Sequence, residues 1–422
     1  MSRGETPSPE AGCGPGGRRP WAGRRVVLGV TGGIAAYKSV QVARDLTRLG
    51  AEVDVILTSG AEAFVRPLSF EGVTGRPAFT ELFSSDGAAM HIRLGVEAEA
   101  VLVAPATADF IARAAQGRAD DLLTTTLLAT RAPVVFAPAM NDRMYAHPQT
   151  AANVRHLEER LGYVRAGPAV GPLAFGEGEG PGRMLEPHEL VEEVGRALGR
   201  DDRFEGTRVL VTAGPTREPL DPVRYVGNRS SGRMGYALAQ AAWRRGARVV
   251  VVAGPGHAPE PYGPELVRVE TAREMEAEVR ARLPDCDAAI FAAAVADYRP
   301  AAPASSKLKR SETGAELEVR LEANPDVAAD TRDARRPGTV AVGFALETDD
   351  LLARARAKLE AKGFDLVVAN PAGEEGAGFD VETNRVVLID ARGGEEALPL
   401  ASKDDVAEAV LDGVAALLEA RR

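Results

Sequence analysis

Cysteine is nearly absent: the 422 residues hold two, Cys13 and Cys286. Two isolated thiols make neither a disulfide framework nor a cysteine metal site, which excludes small secreted scaffolds and zinc modules. Basic charge is also scarce. The 51 Lys and Arg face 61 Asp and Glu, a formal net charge of −10. That is the wrong sign for a general nucleic-acid binder, whose phosphate contacts need a basic surface. A small anionic ligand stays open, since a few local cations suffice to hold one. Long apolar runs are missing too, and none approaches the roughly 18 residues that span a bilayer. The first 22 residues carry Gly, Pro and Arg without an apolar stretch, so a disordered leader is expected there rather than a secretory signal. A cytoplasmic, soluble protein follows, with neither membrane nor nucleic acid among its expected partners.

What the chain does have is length and alternation. It is too long for one ordinary domain, and a hydrophobic share of 45% gives each of two or three units a sizeable core. Short β-branched runs alternate with amphipathic stretches, the pattern of a parallel sheet covered by helices. In the first half, strands are expected at 26–30, 53–58, 101–105 and 134–137, with a helix over 35–49 that stops at Gly50. Residues 167–182 hold Gly, Pro and few bulky groups, which predicts a mobile loop. A second series supplies strands at 209–212, 249–253, 289–292, 340–344, 366–369 and 385–389. Helices are expected between them at 235–245, 272–282 and 349–362, and finally at 403–420. Two α/β domains, 23–200 and 201–422, are the economical division.

The first strand runs into Thr31-Gly32-Gly33-Ile34-Ala35-Ala36-Tyr37-Lys38. Glycines at a strand-to-helix turn let backbone N–H groups approach a phosphate, and the helix dipole favours the anion. This is not GxGxxG, and a plain tight turn explains it equally well. However, Ala104-Pro105-Ala106-Thr107-Ala108-Asp109 and Pro138-Ala139-Met140-Asn141 also follow strands. Three small polar loops therefore fall at the carboxyl edge of one sheet, where ligands bind. His91, one of five histidines, marks a strand expected around Met90-His91-Ile92. A neutral imidazole accepts a proton near pH 7, although a lone histidine is more often structural.

Together, TGGIAAYK, MHI, APATADFIAR and PAMN resemble the flavin-dependent cysteine decarboxylases, specifically those acting on phosphopantothenoylcysteine. The resemblance implies a flavodoxin-like domain that binds FMN and assembles as a trimer or a multiple of one. It implies FMN contacts at Gly33, Ile34, Ser59, Ala104, Pro105, Ala106, Thr107 and Met140. It makes His91 the active-site histidine and Asn141 the ligand of the substrate carboxylate. The family flap resembles Ala-Cys-Gly followed by Gly-x-Gly-Arg-Met, and its cysteine protonates an enethiol. Here the flap reads Leu173-Ala174-Phe175-Gly176-Glu177, then Gly180-Pro181-Gly182-Arg183-Met184. Phenylalanine has no titratable proton, so the role is vacant at Phe175: another group or water protonates the enethiol, the step is slow, or this half does not complete decarboxylation.

In the second half, residues 212–235 form a long polar insertion between a strand and a helix, where connections of about 2–6 residues are usual. Its glycines, hydroxyls and four arginines suit phosphate groups. The run Phe291-Ala292-Ala293-Ala294-Val295-Ala296-Asp297 puts small residues at a strand end, with Asp297 as a Mg²⁺ or hydroxyl partner. Lys307-Leu308-Lys309-Arg310 follows; alone it fits a solvated face. Lys358 and Lys362 share one helix face and repel unless an anion lies near, although solvation serves them as well.

These pieces resemble the phosphopantothenate–cysteine ligases over nearly all of 207–413, and the two resemblances follow each other in the order of the bacterial bifunctional enzymes. The implied domain is Rossmann-like and dimeric, uses CTP and Mg²⁺, and joins 4′-phosphopantothenate to cysteine through an acyl-cytidylate. Asn228 matches the residue of the second half-reaction, Arg224 lies on the same substrate loop, and Lys307 matches the lysine of acyl-cytidylate formation. Phe291, Ala292, Ala293, Asp297, Pro325, Asp326, Val327, Ala328, Phe344, Lys358 and Lys362 match nucleotide contacts. A trimeric half joined to a dimeric half implies a homo-oligomer as large as a dodecamer. The expected activity is ligation followed by FMN-dependent decarboxylation to 4′-phosphopantetheine. The alternative is a ligase alone, with the first half a flavin-binding assembly module, and Phe175 is the one feature in its favour. A nicotinamide dehydrogenase would need GxGxxG after Val30 or Val211, and neither position has it.

Overall fold

The computed structural model describes residues 19–83, 89–310, 316–347, 350–371, 381 and 383–421. They form two compact units, one ending at Leu198 and the other starting at Gly199. Most of the expected leader, residues 1–18, lies outside the described residues. At its end Trp21 is buried and donates its N–H to the Leu49 carbonyl at 3.1 Å, so packing begins before residue 23.

The first unit runs β1 (Arg25–Val30), α1 (Ala36–Arg48), β2 (Glu52–Leu57), α2 (Pro67–Thr74), β3 (Ala78–Phe79) and α3 (Met90–Glu97). It continues β4 (Ala100–Ala106), α4 (Ala108–Ala115), α5 (Leu122–Ala129), β5 (Val134–Pro138), α6 (Asp142–Ala146) and α7 (Pro148–Leu161). It ends β6 (Val164–Arg165), β7 (Ala169–Pro172), β8 (Glu179–Arg183) and α8 (Pro187–Gly199). Six strands make one parallel sheet in the order β3-β2-β1-β4-β5-β6. Without the two-residue edge strand β3, this is the flavodoxin-like order, with its reversal between β1 and β4. The apolar run of β4 is buried along its whole length, as a strand covered on both faces requires. Val27, Val101, Val103 and Phe136 pack against Phe110 of α4, Leu122 and Leu127 of α5 and Leu157 of α7.

Two local expectations are corrected here. Met90-His91-Ile92 is the first turn of α3, not a strand: Leu94 and Gly95, four and five residues beyond Met90, are buried with it on one helical face. The stretch 167–182 is not a plain loop, because β7 and β8 pair antiparallel as a hairpin.

The second unit begins β9 (Arg208–Ala213), β10 (Arg217–Pro219), β11 (Tyr225–Gly227), α9 (Arg233–Arg244), β12 (Arg248–Ala253), β13 (Glu265–Arg268) and α10 (Ala272–Arg282). Next come β14 (Ala288–Phe291), β15 (Tyr298–Pro300), β16 (Leu321–Ala323), α11 (Val327–Asp330), β17 (Val340–Glu347), α12 (Leu351–Lys362) and β18 (Leu366–Pro371). It closes with β19 (Thr383–Asn384), β20 (Val387–Asp390), β21 (Glu395–Ala397), β22 (Ala401–Ser402) and α13 (Lys403–Glu419). Its main sheet has the order β13-β12-β9-β14-β17-β18-β20-β21. The six strands from β13 to β18 are parallel and reverse direction of growth between β9 and β14, the Rossmann-like arrangement. The last two are antiparallel and extend the parallel sheet at one edge. A tight turn from Asp390 to Gly394 joins β20 to β21, and so short a connection only joins antiparallel strands. Alternation sorts the core: Val209, Val211, Ile290 and Val368 face α9 and α13, while Leu210, Ala289, Phe291 and Val367 face Met275, Leu359 and Phe364.

Candidate active sites

In the first unit the carboxyl ends of β1, β2, β4 and β5 open into a cleft of about 1180 Å³. Its walls are the loops after those strands, together with the β7–β8 hairpin. Thr31 stitches two of the loops: its buried hydroxyl donates to the Pro105 carbonyl at 2.7 Å and accepts the Thr107 N–H at 3.2 Å. Thr107 in turn accepts the Phe110 N–H and so starts α4. Gly32 and Gly60 pass backbone to backbone, and a Cβ on Gly32 would stand 2.7 Å from the Gly60 carbonyl carbon. The hairpin closes the far side just as tightly. Met140 N–H donates to the Gly182 carbonyl at 3.0 Å, and a Cβ on Gly180 would stand 2.9 Å from that of Asp142. Glycine at both positions of the Gly-Pro-Gly-Arg-Met run is therefore a matter of clearance.

Gly33, Ile34, Ser59, Thr107, Met140 and Asn141 line this cleft. Ala104, Pro105 and Ala106 do not: they are buried in β4, beneath the wall, and support it through the Thr31 and Ser39 hydroxyls. His91 does not line it either. It sits on α3, with its Nδ1 buried and without a hydrogen-bond partner. Phe175 is fully exposed at the hairpin turn, between Ala174, which lines the cleft, and Gly176.

The cations at the cleft are already engaged. Lys38 bonds Glu186 at 2.9 Å, Arg183 bonds the same carboxylate, Arg113 meets Asp109, Asp120 and Asp121, and Arg118 meets Asp120. The hydrogen bond from Lys38, aided by Arg183, holds the Glu186 carboxyl below its ordinary range. With its cations matched, the cleft offers a phosphate backbone N–H groups and the hydroxyls of Thr58, Ser59 and Thr107. Sequence spacing could not disclose the Lys38–Glu186 pair, whose members lie 148 residues apart.

In the second unit the long insertion holds the small β10–β11 hairpin and is sewn to the loop after β14. Ala294 N–H donates to the Gly214 carbonyl at 2.9 Å, Thr212 Oγ1 accepts the Ala293 N–H at 3.2 Å, and Thr216 Oγ1 accepts the Ala296 N–H at 3.0 Å. Asn228 Nδ2 donates to the Val295 carbonyl at 2.8 Å, which joins Asn228 to the Phe291–Asp297 cluster. Asn324 Nδ2 donates to the Ala296 carbonyl at 2.8 Å and so brings up Pro325, Asp326, Val327 and Ala328. Asp326 caps α11 and pairs with Lys362 at 2.8 Å, while Lys358 donates to the Phe344 carbonyl at 2.7 Å. Both lysines thus have protein partners rather than solvent alone. Arg224 is held by the buried Asp221 at 2.6 Å and donates to the Leu308 carbonyl at 2.8 Å, next to the exposed Lys307. Five hydrogen bonds, led by that from Arg224, hold the Asp221 carboxyl far below the usual carboxylate range. Among the described residues no cluster of three His, Cys, Asp or Glu could hold a metal, so an ion at the exposed Asp297 would need oxygens from elsewhere, such as phosphate.

A flavodoxin-ordered cleft and a Rossmann-ordered loop cluster on one chain define a two-domain α/β enzyme. Residues 18–199 match the flavoprotein family, and residues 204–418 match the C-terminal domain of the DNA/pantothenate metabolism flavoproteins. The Coenzyme A biosynthesis bifunctional protein CoaBC of Vibrio vulnificus is 44% identical over 399 residues, covering 94% of this chain and 98% of the relative. That of Mycolicibacterium smegmatis is 44% identical over 414 residues, covering 95% and 99%. A crystal structure of the C-terminal domain of a CoaBC protein aligns at 34% identity and a TM-score of 0.44, covering 52% of this chain and 99% of that one. The FMN-dependent cysteine decarboxylase SpaF aligns at 34% identity and a TM-score of 0.35, covering 41% and 99%. The chain belongs to the family of the bifunctional coenzyme A biosynthesis proteins, with a flavoprotein decarboxylase half and a ligase half.

Proposed function

We propose that the second unit uses CTP and Mg²⁺ to activate 4′-phosphopantothenate and couples it to cysteine, and that the first unit decarboxylates the product with FMN. The observation that carries this reading is the hydrogen-bonded ladder between residues 212–216 and 293–296, which sets the substrate loop beside the nucleotide loop. Lys307 steadies charge developing at phosphorus as the carboxylate displaces pyrophosphate. Asn228 spends its amide N–H on Val295, which leaves Oδ1 to accept from the cysteine amine that displaces CMP. Phe291, Ala292, Ala293, Asp297, Phe344, Lys358 and Lys362, with residues 325–328, surround the nucleotide.

In the first unit Gly33, Ile34, Ser59, Thr107 and Met140 hold FMN, which when bound takes two electrons from the cysteinyl carbon–sulfur unit and later returns them. Asn141 has Oδ1 occupied by the Arg143 N–H at 2.9 Å, so its NH₂ is the donor for the substrate carboxylate. Because His91 is not among the residues that line this chain's own cleft, we place it in the cleft of a neighbouring copy. The exposed Ile92, Val96 and Leu128 on the packed pair α3 and α5 support such an assembly, trimeric through the first unit and dimeric through the second, up to a dodecamer. Cytoplasmic location accords with the absence, among the described residues, of a helix long and apolar enough to cross a membrane.

The test supplies purified, flavin-loaded protein with 4′-phosphopantothenate, cysteine, CTP and Mg²⁺, and follows products by mass spectrometry. The expected result is CMP and pyrophosphate release with 4′-phosphopantetheine and CO₂. Accumulation of phosphopantothenoylcysteine would refute the decarboxylase role, and absence of CMP would refute the ligase role.

A further inference from the structure

Arg335 lies on the segment between α11 and β17, outside every motif read from the sequence. Its guanidinium gathers the elements that carry the nucleotide residues. Nη2 donates to the Ala328 carbonyl at 2.8 Å, in α11. Nη1 donates to the carbonyls of Lys362 and Gly363 at 3.2 and 2.9 Å, where α12 ends. Its Cζ lies 5.3 Å from the Phe291 ring centroid and 5.5 Å from that of Phe364, and the two ring centroids are themselves 5.8 Å apart. One fork therefore joins the end of β14, the helix capped by Asp326, and the last turn that carries Lys362. The carbonyl ends of two helices are a natural seat for a cation. Burial nevertheless pushes the Arg335 pKa down, and its Nε is buried without a partner. A cation held at such a cost is doing something that solvation would not.

We infer that Arg335 is a positioning residue of the nucleotide site: it fixes Phe291, Ala328 and Lys362 relative to one another without touching the nucleotide. The inference rests on the reading of this wall as the CTP site. Methionine fills similar space but donates nothing, so Arg335→Met releases three carbonyls and both rings at once. Lysine keeps the charge but not the planar fork.

Steady-state kinetics of the full-length protein tests this. For Arg335→Met the KM for CTP is expected to rise about tenfold or more, as loss of charge-assisted hydrogen bonds implies. The kcat and the KM values for 4′-phosphopantothenate and cysteine should stay within about threefold, and Arg335→Lys should give a smaller rise in the same direction. An unchanged KM for CTP in either folded variant overturns the inference. So does a loss spread evenly over all three substrates with a lower melting temperature, which is the signature of mere structural support. If Arg335→Met fails to fold, Arg335→Lys decides by the same criterion. Wild-type turnover with CTP, measured alongside, separates failure of the inference from failure of the CTP reading.

Discussion

Adjacent glycines in the first cleft answer substitution differently. A Cβ on Gly33 would have its nearest neighbours at 3.6 and 3.7 Å, ordinary van der Waals contact, whereas one on Gly32 would meet the Gly60 backbone at 2.7 Å. Gly33→Ala should therefore change stability by less than about 0.5 kcal/mol yet purify with less flavin. Gly32→Ala should cost about 1–3 kcal/mol by overpacking. Thermal melting with flavin absorbance reads both, and an unchanged flavin content in Gly33→Ala would argue against a cofactor at this loop. Phe175, exposed at the hairpin turn, stands where the flap of the resembling decarboxylases carries a cysteine. Phe175→Cys should raise the ratio of 4′-phosphopantetheine to the unreduced enethiol, scored by mass spectrometry; an unchanged ratio means another donor already keeps pace. Gly33 and Phe175 drew notice in the sequence because one matches and the other departs from a local pattern. Arg335 did not, since its partners lie at Phe291, Ala328, Lys362 and Phe364 and no local spacing joins them.

The β7–β8 hairpin depends on one carboxylate at its base, Glu186, bonded by Lys38 and Arg183. Because the folded pKa lies below the ordinary 4.5, the contribution is fully present above that value and disappears as pH falls through the folded value. Glu186→Gln should thus melt earlier than wild type at neutral pH, by less than about 1 kcal/mol for a partly exposed pair, and the gap should close as pH falls through the folded value. Melting curves across pH check the sign, since a gap that widened in acid would contradict it. This hairpin was misjudged from sequence because its glycines and prolines look like loop composition. The structure explains them as clearance against Met140 and Asp142. His91 was misplaced for the opposite reason: three residues, Met90, His91 and Ile92, are too few to reveal a helical period. The long parallel strands, by contrast, were plain in the sequence, because buried strands carry near-continuous apolar runs.

At the scale of the whole chain, the two compact units and their separate sites predict two ligand responses. Saturating FMN and CTP should each stabilise one unit, by about 2.7 kcal/mol at a hundredfold excess over Kd. Calorimetry should resolve two transitions, with FMN moving one and CTP with Mg²⁺ the other; a single transition moved equally by both would refute independent sites. In the second unit, the reversal of strand order between β9 and β14 is where a Rossmann-like sheet normally leaves a crevice for a dinucleotide. Here the loops on the two sides of that reversal are joined to each other. Pro215 and Ala294 form a parallel bridge beyond the sheet edge, and a Cβ on Gly254 would stand 1.8 Å from the Pro215 carbonyl oxygen. The fold keeps the strand order of a dinucleotide binder, yet the loops after β9 and β14 are tied to each other by their own backbone.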